Sequence, residues 1–217
     1  MKTVLSTKKL SLSQKELLLN AGLCLVEYDA IKIEFLPFEA PNTIKNAIFT
    51  SQNAVRSVEG KNLSFENTFC VGKKTEALLT KNNKNVIKMS QNASELAHFI
   101  QKNYQNEAFW FFSGSKRRDE IPASFKNSKN TLFEVKTYKT TLNSVKFDQK
   151  WDGILFFSPS GVSSFTEKNT LGNSTIFCIG ETTASEAKKF SQNIIVANAT
   201  SVESVIAKVA KTLVTYD

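Results

Sequence analysis

The sequence predicts an α/β protein built from two similar parallel-sheet α/β domains, one inserted into the other and joined to it by a two-stranded antiparallel ladder. Three observations support this class. A pattern of residues is repeated 107 to 108 positions further along the chain, so that the chain contains two copies of one unit. Short apolar runs alternate with helical patterns in each copy. The last two strand units, which the second copy lacks, occur instead at the start of the chain. Short, uniformly apolar strands separated by helices are typical of parallel sheets covered on both faces.

The repeat is visible in two pairs of segments. "FTSQNAV" begins at Phe49 and "FFSPSGV" at Phe156, so that Phe, Ser and Val match at an offset of 107. "FCVGKKT" begins at Phe69 and "FCIGETT" at Phe177, with Phe, Cys, Gly and Thr matching at an offset of 108. One inserted residue explains the change of offset, and the constant order of the matches indicates an internal duplication.

Each copy is predicted to alternate strand and helix. In the first copy the predicted strands are "AIFTS", "TFCVG", "NVIKM", "AFWFFSG" and "TLFEVKTYKT", and the helices include Gln52–Glu59, Lys73–Leu79 and Ala93–Lys102. In the second copy the strands are "GILFFS", "TIFCIG" and "NIIVAN", and the last helix has apolar residues at helical spacing, namely Val202, Val205, Ile206, Val209 and Leu213. Asn92 and Thr200 are predicted to cap the helices that follow the third strand of each copy, with Glu three residues later.

The second copy lacks the last two strand units of the first, and the start of the chain supplies them. A strand at "TVLS" leads to a helix that Ser13 should cap with Glu16, while Leu12 and Leu17 staple it and Gly22 ends it. "LCLVEY" is the next strand. We therefore predict a discontinuous domain at residues 1–30 and 143–217. A second domain, at residues 37–134, is inserted into it. Residues 31–36 and 135–142 form the two-stranded linker between them.

The three cysteines and the apolar runs bear on the compartment. Cys24, Cys70 and Cys178 form no CxxC pair and lie in apolar strand-like runs. An odd number of buried thiols is typical of a reducing compartment, so we expect a cytoplasmic protein without a metal site. No apolar run reaches the roughly 20 residues that span a bilayer, so we expect no membrane partner. His98, the one histidine, should face solvent.

Hydroxyl and glycine residues follow most predicted strands. Ligands of parallel α/β sheets bind where strand ends lead into helices, and a helix N-terminus favours an anionic oxygen. Any one of these residues could simply cap its helix, but the whole set favours a cleft for an anion with many carboxylates. The turns are Ser6–Thr7, Thr50–Ser51, Gly72–Thr75, Ser113–Gly114, Ser158–Gly161 and Gly180–Thr183.

Several common catalytic motifs are absent. The chain has no GxxxxGK[ST], no GxGxxG and no GxSxG, and its single histidine leaves no Ser-His-Asp arrangement. The protein should therefore either act on a self-reactive substrate or only bind. The net charge of +8 would also permit a nucleic-acid binder, although the lysines are scattered along the chain. A two-lobed anion-binding protein without catalysis is the main alternative to an enzyme.

Six stretches together resemble the uroporphyrinogen-III synthase family: "IFTSQNAV", "CVGKKT", "SGSKRRDEIP", "VKTYKTT", "ILFFSPSGVSSF" and "CIGETTASEA". They occur in family order and cover most of the chain from Ile48 to Ala187. The resemblance implies two α/β domains joined by a two-stranded ladder. It also implies a hydro-lyase of tetrapyrrole (haem) biosynthesis that works without a cofactor, as a monomer.

The implied reaction closes linear hydroxymethylbilane to uroporphyrinogen III, with inversion of ring D and loss of water. The substrate loses hydroxide to give an azafulvene, ring D attacks to form a spiro intermediate, and fragmentation and reclosure follow. The substrate carries eight carboxylates, which suits a basic protein. The protein's task would be mainly to hold geometry and to assist the departing hydroxyl.

The resemblance also implies site residues. Tyr138 matches the family's tyrosine in the return crossing, and a phenol is protonated at neutral pH and can donate to a leaving hydroxide. Its alternative role is an aromatic packed at a joint between domains. Arg118 matches the arginine that follows the Ser113–Gly114 turn. The other matching turn positions, expected to bind substrate, are Thr50, Ser51, Thr75, Ser158, Ser160, Thr182 and Thr183.

Overall fold

The computed structural model describes residues 1–116, 119–126 and 128–214, and the chain divides into two compact units. Unit 1 comprises Met1–Lys32 and the chain from Thr141 onward, and unit 2 comprises Ile33–Thr140. Both units are α/β, with sheets dominated by parallel pairing. The predicted fold class is confirmed.

Strands and helices alternate along most of the described chain. The strands are β1 (Thr3–Ser6), β2 (Cys24–Glu27), β3 (Ile31–Phe35), β4 (Thr43–Phe49), β5 (Ser64–Val71), β6 (Val86–Ser90), β7 (Ala108–Gly114), β8 (Thr131–Leu142), β9 (Gly153–Phe156), β10 (Thr175–Cys178) and β11 (Ile194–Val196). The helices are α1 (Leu12–Asn20), α2 (Gln52–Ser57), α3 (Lys73–Lys81), α4 (Ala93–Asn103), α5 (Glu120–Phe125), α6 (Pro159–Thr166), α7 (Glu181–Ala187) and α8 (Val202–Leu213).

The two sheets have the same strand order. Within the described residues, the sheet of unit 1 runs β2-β1-β9-β10-β11, and that of unit 2 runs β8-β7-β4-β5-β6 with β3 added beside β8. Equivalent residues are paired, because Phe49 lies opposite Cys70 and Phe156 lies opposite Cys178. β1 is hydrogen-bonded between β9 and β2, so the start of the chain is built into the interior of the sheet of unit 1.

β3 and β8 are neighbours at one edge of the sheet of unit 2. The Leu36 N–H donates to the Thr137 carbonyl at 2.9 Å, and Lys139 Nζ lies 2.9 Å from Glu34 Oε2. These contacts occur in opposite order along the two strands, which is the antiparallel arrangement. β8 thus pairs with a parallel strand on one side and an antiparallel strand on the other.

Each sheet is buried on both faces, which explains its uniformly apolar strands. In unit 2, successive side chains of β4 point to opposite faces. Phe49 packs with Phe112 and Val55 on one face, whereas Ile48 packs with Leu96 on the other. Unit 1 has two corresponding apolar layers. None of the helices in the described ranges is long and apolar enough to cross a membrane.

The start of α1 differs from the prediction. Ser11, not Ser13, is the N-cap, because the Ser11 hydroxyl accepts the N–H of Gln14 at 3.3 Å. The Gln14 side chain in turn accepts the Ser11 N–H at 3.0 Å, so that Gln14 rather than Glu16 completes the capping box. The helix starts earlier because Leu10, just before the cap, is buried in the core of unit 1.

The predicted staple of α1 is also wrong, whereas its predicted end is confirmed. Leu12 and Leu17 are 75% and 51% exposed and therefore do not pack together in the core. Gly22 has φ +74°, and its N–H bonds the Leu19 carbonyl while the Leu23 N–H bonds the Leu18 carbonyl. This is a Schellman ending, which needs a residue in the left-handed conformation that glycine adopts without strain.

The predicted cap of α4, which follows β6, is confirmed, whereas the predicted cap of α8, which follows β11, is wrong. Asn92 caps α4 as predicted, since its side chain accepts the Glu95 N–H at 2.9 Å. Ser201, not Thr200, caps α8, and its hydroxyl accepts the Ser204 N–H at 3.1 Å. Both Thr200 and Ser201 can cap a helix, and the fold uses the second of them. His98 is exposed on α4, as predicted.

The cysteines fall into two kinds. Cys70 and Cys178 are fully buried at equivalent positions, and burial, helped by Glu76 and Glu181 respectively, raises the pKa of each thiol to about 12. Cys24 is exposed at the first residue of β2, an edge strand, which corrects the expectation that all three are buried.

We therefore expect a thiol reagent to modify Cys24 alone in the native protein, because reaction needs an accessible thiolate. Counting the modified thiols by mass spectrometry, with and without denaturant, checks this. Cys24→Ser should leave the native protein unmodified. Rapid native modification of Cys70 or Cys178 would show that the core of that unit opens readily.

Candidate active site

The carboxyl ends of the parallel strands in each unit lead into helix starts, where ligands of α/β sheets bind. In unit 2, Thr50–Ser51 follows β4 and Gly72 follows β5, whereas Ser90 and Gly114 are the last residues of β6 and β7. In unit 1, the corresponding turns follow β1, β9, β10 and β11. The predicted site residues in the described part of the chain lie at these edges, on β8, or in the first turns of the helices.

Ser51 and Ser158 are N-caps in equivalent positions. Ser51 Oγ accepts the Asn53 N–H at 3.1 Å, and Ser158 Oγ accepts the Gly161 N–H at 3.0 Å. The capping role considered from the sequence therefore holds for both. A serine hydroxyl that accepts one bond still has a proton to donate, so each cap can also bind a carboxylate oxygen.

α3 and α7 begin differently. Their N-cap positions are Gly72 and Gly180, and within the described residues no side chain caps either helix. Gly72 has φ +86°, a conformation suited to glycine. Because the first backbone N–H groups lack a capping side chain, each helix start can accept an anion.

The first turn of α3 contains two lysines and one acidic residue, Glu76. Lys73 and Lys74 are its first two residues, and both are accessible to solvent. A cation at a helix N-terminus is unfavourable by several tenths of a kcal/mol, so these lysines are not there to stabilise the helix. The equivalent residues of α7 are Glu181 and Thr182. The first turn of α3 was predicted to bind an anion, but its two lysines were not singled out, because their significance depends on the uncapped start of this helix.

The threonines of these first turns are not alike. Thr75 and Thr183, which are equivalent, are 5% and 1% exposed and lie against the interior of their own units. Thr182 is exposed, and Thr50 and Ser160 are half-buried. Thr50, Ser160 and Thr182 are thus more accessible to a ligand than the two buried threonines.

Two buried hydroxyls lie at the carboxyl ends of strands of unit 2. Ser113, on β7, is 3% exposed, and Ser90, on β6, is 4% exposed. Among the residues that the structure describes, neither Oγ has a hydrogen-bond partner. A buried polar atom without a partner is unfavourable by roughly 1–3 kcal/mol, so these two hydroxyls favour a further partner at this edge. Ser113 was predicted as a site residue and Ser90 was missed, although it ends an apolar run.

Tyr138 lies beside the Ser113–Gly114 turn. β7 and β8 pair in parallel with a register shift, so that Ser113 faces Lys136 and Gly114 faces Tyr138. The Ser115 N–H donates to the Tyr138 carbonyl at 2.8 Å. The half-buried ring lies over Gly114, because a Cβ there would be 2.7 Å from Cζ and 3.0 Å from the phenol oxygen. The structure thus brings together the predicted catalytic residue and a predicted binding turn.

In unit 1, the turns that follow β1 and β9 meet at Gly161. The Thr7 hydroxyl donates to the Leu155 carbonyl at 2.7 Å. A Cβ on Gly161 would lie 3.4 Å from Ser158 Oγ and 3.5 Å from Thr7 Oγ1. Both hydroxyls therefore lie beside the first turn of α6. Arg118, the remaining predicted site residue, lies outside the described residues.

A comparison with models of protein families supports the resemblance predicted from the sequence. A family model described as Uroporphyrinogen-III synthase HemD matches residues 13–207. The chain belongs to this family. The predicted resemblance is confirmed, and with it the predicted function in tetrapyrrole biosynthesis. No curated protein sequence matches the chain significantly.

Solved structures of the family share the fold. The chain is similar to the uroporphyrinogen-III synthetase of Helicobacter pylori, with 17% identity and a TM-score of 0.72, over 98% of this chain and 100% of that one. It is also similar to a mutant uroporphyrinogen III synthase of the extremely thermophilic bacterium Thermus thermophilus, with 11% identity and a TM-score of 0.63, over 98% of this chain and 99% of that one.

Proposed function

We propose that the chain is a hydro-lyase that closes hydroxymethylbilane to uroporphyrinogen III, with Tyr138 donating the proton that lets the terminal hydroxyl leave. The observation that carries the proposal is the phenol of Tyr138 above Gly114, at the carboxyl edge of the sheet, in a chain that belongs to this family. In the implied chemistry, the proton combines with the departing hydroxyl to form water. Closure of the ring later releases one proton from a ring carbon, which restores the phenol.

The protein's other contribution is to hold a flexible polycarboxylate in one geometry. We assign carboxylate binding to the strand-end turns, with backbone N–H groups of the helix starts and nearby hydroxyls as donors. The start of α3 suits a carboxylate best, since it lacks a side-chain cap and carries Lys73 and Lys74, which outnumber Glu76, the acidic residue of the same turn. Glu181 makes the start of α7 less favourable for a second anion.

The decisive experiment supplies hydroxymethylbilane and identifies the product isomer by chromatography. The III isomer should form in amounts that rise with enzyme concentration, whereas the linear substrate alone closes to the wrong isomer. A folded protein that yields only the spontaneous product would contradict the proposed activity and favour the anion-binding alternative.

Lys73→Gln and Lys74→Gln should each raise the KM for hydroxymethylbilane about two- to fivefold with little change in kcat. The reason is that an exposed ion pair contributes about 0.2–1 kcal/mol. Steady-state kinetics at low and high salt measure the effect, which should shrink as salt screens the charges. Lys81→Gln, at the other end of α3, is the control and should leave KM unchanged. Equal effects at all three positions would indicate general attraction by net charge.

Ser51→Ala should lower the free energy of unfolding by about 0.5–2 kcal/mol through loss of the cap, and should raise KM modestly. Ser11→Ala is the control, because Ser11 also caps a helix but lies several residues beyond the end of β1, away from the strand-end turn. It should lower stability and leave KM unchanged. Denaturant titration and steady-state kinetics of both variants separate the two effects. Complete loss of turnover in folded Ser51→Ala would point instead to a serine nucleophile.

We further propose that the protein works as a cytoplasmic monomer without a nucleic-acid partner. All three cysteines are free, which fits a reducing compartment. Attraction of an anionic substrate accounts for the net charge of +8 without a nucleic-acid partner. Light scattering coupled to size exclusion should give the mass of one 24.2 kDa chain. A concentration-dependent dimer would contradict the monomer.

A further inference from the structure

We infer that Gly114 is a positioning residue for the reaction, because the absence of a Cβ atom at this position sets where the phenol of Tyr138 lies. This inference rests on the proposed role of Tyr138 and gives Gly114 a function other than that of an anion-binding turn. A Cβ on Gly114 would lie 2.7, 2.8 and 3.0 Å from Cζ, Cε2 and the phenol oxygen of Tyr138. Carbon atoms in ordinary contact are about 3.5–4.0 Å apart. The ring therefore occupies space that any other residue would fill.

The backbone at Gly114 does not itself require glycine. Among the described residues, the glycines with positive φ are Gly22, Gly60, Gly72 and Gly172. Gly114 has no such φ, so alanine would fit its backbone without strain. Gly72 is the opposite case, because its φ is +86° but a Cβ there would meet nothing within 4 Å. The three atoms nearest to a Cβ at position 114 all belong to Tyr138, so the need for glycine there comes from this side chain.

The backbone of Tyr138 is held firmly in place. The register shift opposite Ser113 and Gly114 adds one residue to β8, Thr137, which is fully buried. Such a bulge re-aims the side chains that follow it. Tyr138 accordingly packs in the same apolar cluster as Val135, three residues earlier. The Tyr138 carbonyl also accepts the Ser115 N–H at 2.8 Å.

Because the strand is fixed, a new Cβ at position 114 must be accommodated by the torsions of the Tyr138 side chain. Restoring an ordinary contact moves the ring by about 1 Å, given the contact distances above. A proton donor acts only within about 2.6–3.2 Å of its acceptor, and a misplacement of about 1 Å can lower a rate about a hundredfold. Gly114→Ala should therefore lower kcat about ten- to a hundredfold while KM changes less than twofold.

The test is a double-mutant cycle of Gly114→Ala and Tyr138→Phe, with turnover of hydroxymethylbilane as the measurement. Gly114→Ala should lower kcat in the wild-type background and cause no further loss in the Tyr138→Phe background, which has no hydroxyl to misplace. Independent, multiplying losses would overturn the inference, as would an unchanged kcat in Gly114→Ala. Ser115→Ala alters a neighbouring exposed side chain and is the matched control.

A second measurement does not depend on activity. In protein labelled with fluorotyrosine, the ¹⁹F signal of Tyr138 is assigned as the one that is missing from the spectrum of Tyr138→Phe. Gly114→Ala should shift that signal and leave the other tyrosine signals in place, whereas Ser115→Ala should shift none. An unshifted signal overturns the inference even if kcat falls. A shifted signal in a protein without turnover supports the placement and counts against the proposed function instead.

Folding of the variant is checked by thermal unfolding. Gly114→Ala is compared with wild type by its melting temperature. If that temperature is lower, the double variant Gly114→Ala with Tyr138→Ala, which has no ring, should melt at the same temperature as Tyr138→Ala alone. Failure of this rescue would mean that something other than Tyr138 requires glycine at position 114, and would overturn the inference.

Discussion

Tyr138→Phe should give a folded protein whose turnover of hydroxymethylbilane is reduced by about tenfold to a thousandfold. A general acid contributes typically 10²–10⁴-fold, and water can replace part of it at the edge of the sheet. The substitution keeps the ring, its contact with Gly114 through the ring carbons and its place in the apolar cluster of unit 2, and removes only the hydroxyl group that donates the proton. Single-turnover kinetics, with enzyme in saturating excess over substrate, measure the effect on the chemical step.

The isomer made by Tyr138→Phe distinguishes proton donation from substrate positioning. The product should remain mostly the III isomer, since the turns that hold the carboxylates are unchanged. Tyr104→Phe is the matched control, because Tyr104 packs against Phe69 and Phe109 in the same unit, away from the strand-end turns. Turnover of Tyr138→Phe equal to that of Tyr104→Phe would remove the phenol from the mechanism and leave the protein as a template.

Phe112→Ala should destabilise unit 2 by about 3–5 kcal/mol, the usual range for truncation of a buried phenylalanine. Phe112 is fully buried and stacks on Phe49, with ring centroids 5.2 Å apart and planes at 8°. It also meets Phe38 and Phe65 edge to face. Its removal leaves a cavity among rigid rings, which cannot collapse to fill it. Urea unfolding followed by near-UV circular dichroism measures the loss.

Phe133→Ala is the control for this prediction. Phe133 stacks on Trp110 with centroids 4.8 Å apart, yet it is 44% exposed. Its truncation should therefore lower stability by about 0.5–1.5 kcal/mol, the range for an aromatic pair beyond area burial. Similar losses for Phe112→Ala and Phe133→Ala would mean that the layer containing Phe49 is loosely packed in solution.

The fold could be predicted largely because the two copies retain matching residues at the same places in their sheets. Phe49 with Cys70 and Phe156 with Cys178 are paired neighbours in the two sheets. Residues that occupy equivalent buried positions face the same packing constraints, so the sequence keeps their spacing. The alternation of apolar strands and helices then determined the class of each half.

The helix starts were harder to predict, for a physical reason. Ser11 and Ser13 are both good caps, as are Thr200 and Ser201, so local chemistry does not choose between them. The choice is made by tertiary packing. For α1, Leu10 lies in the core of unit 1 immediately before the cap Ser11, and this contact sets where the helix begins.

From the sequence, candidate site residues could be named one by one but not placed in an arrangement. Tyr138 and Gly114 were both named, yet their contact depends on a one-residue register shift between β7 and β8, which no local pattern reveals. Ser90 gave no signal because a serine after an apolar run is also an ordinary turn residue. The significance of Lys73 and Lys74 required knowledge that Gly72 leaves α3 without a capping side chain.

The interior place of β1 has a consequence for how the protein is made. On the ribosome, β1 and β2 are synthesised before unit 2, but the other neighbour of β1, β9, begins only at Gly153. Unit 2 lies between them in the chain and emerges whole. Since domains generally fold as units during synthesis, unit 2 can finish its sheet while β1 still has an unpaired edge. A nascent chain that stalls after unit 2 therefore carries a folded insert beside an open strand, the kind of edge that pairs with other chains.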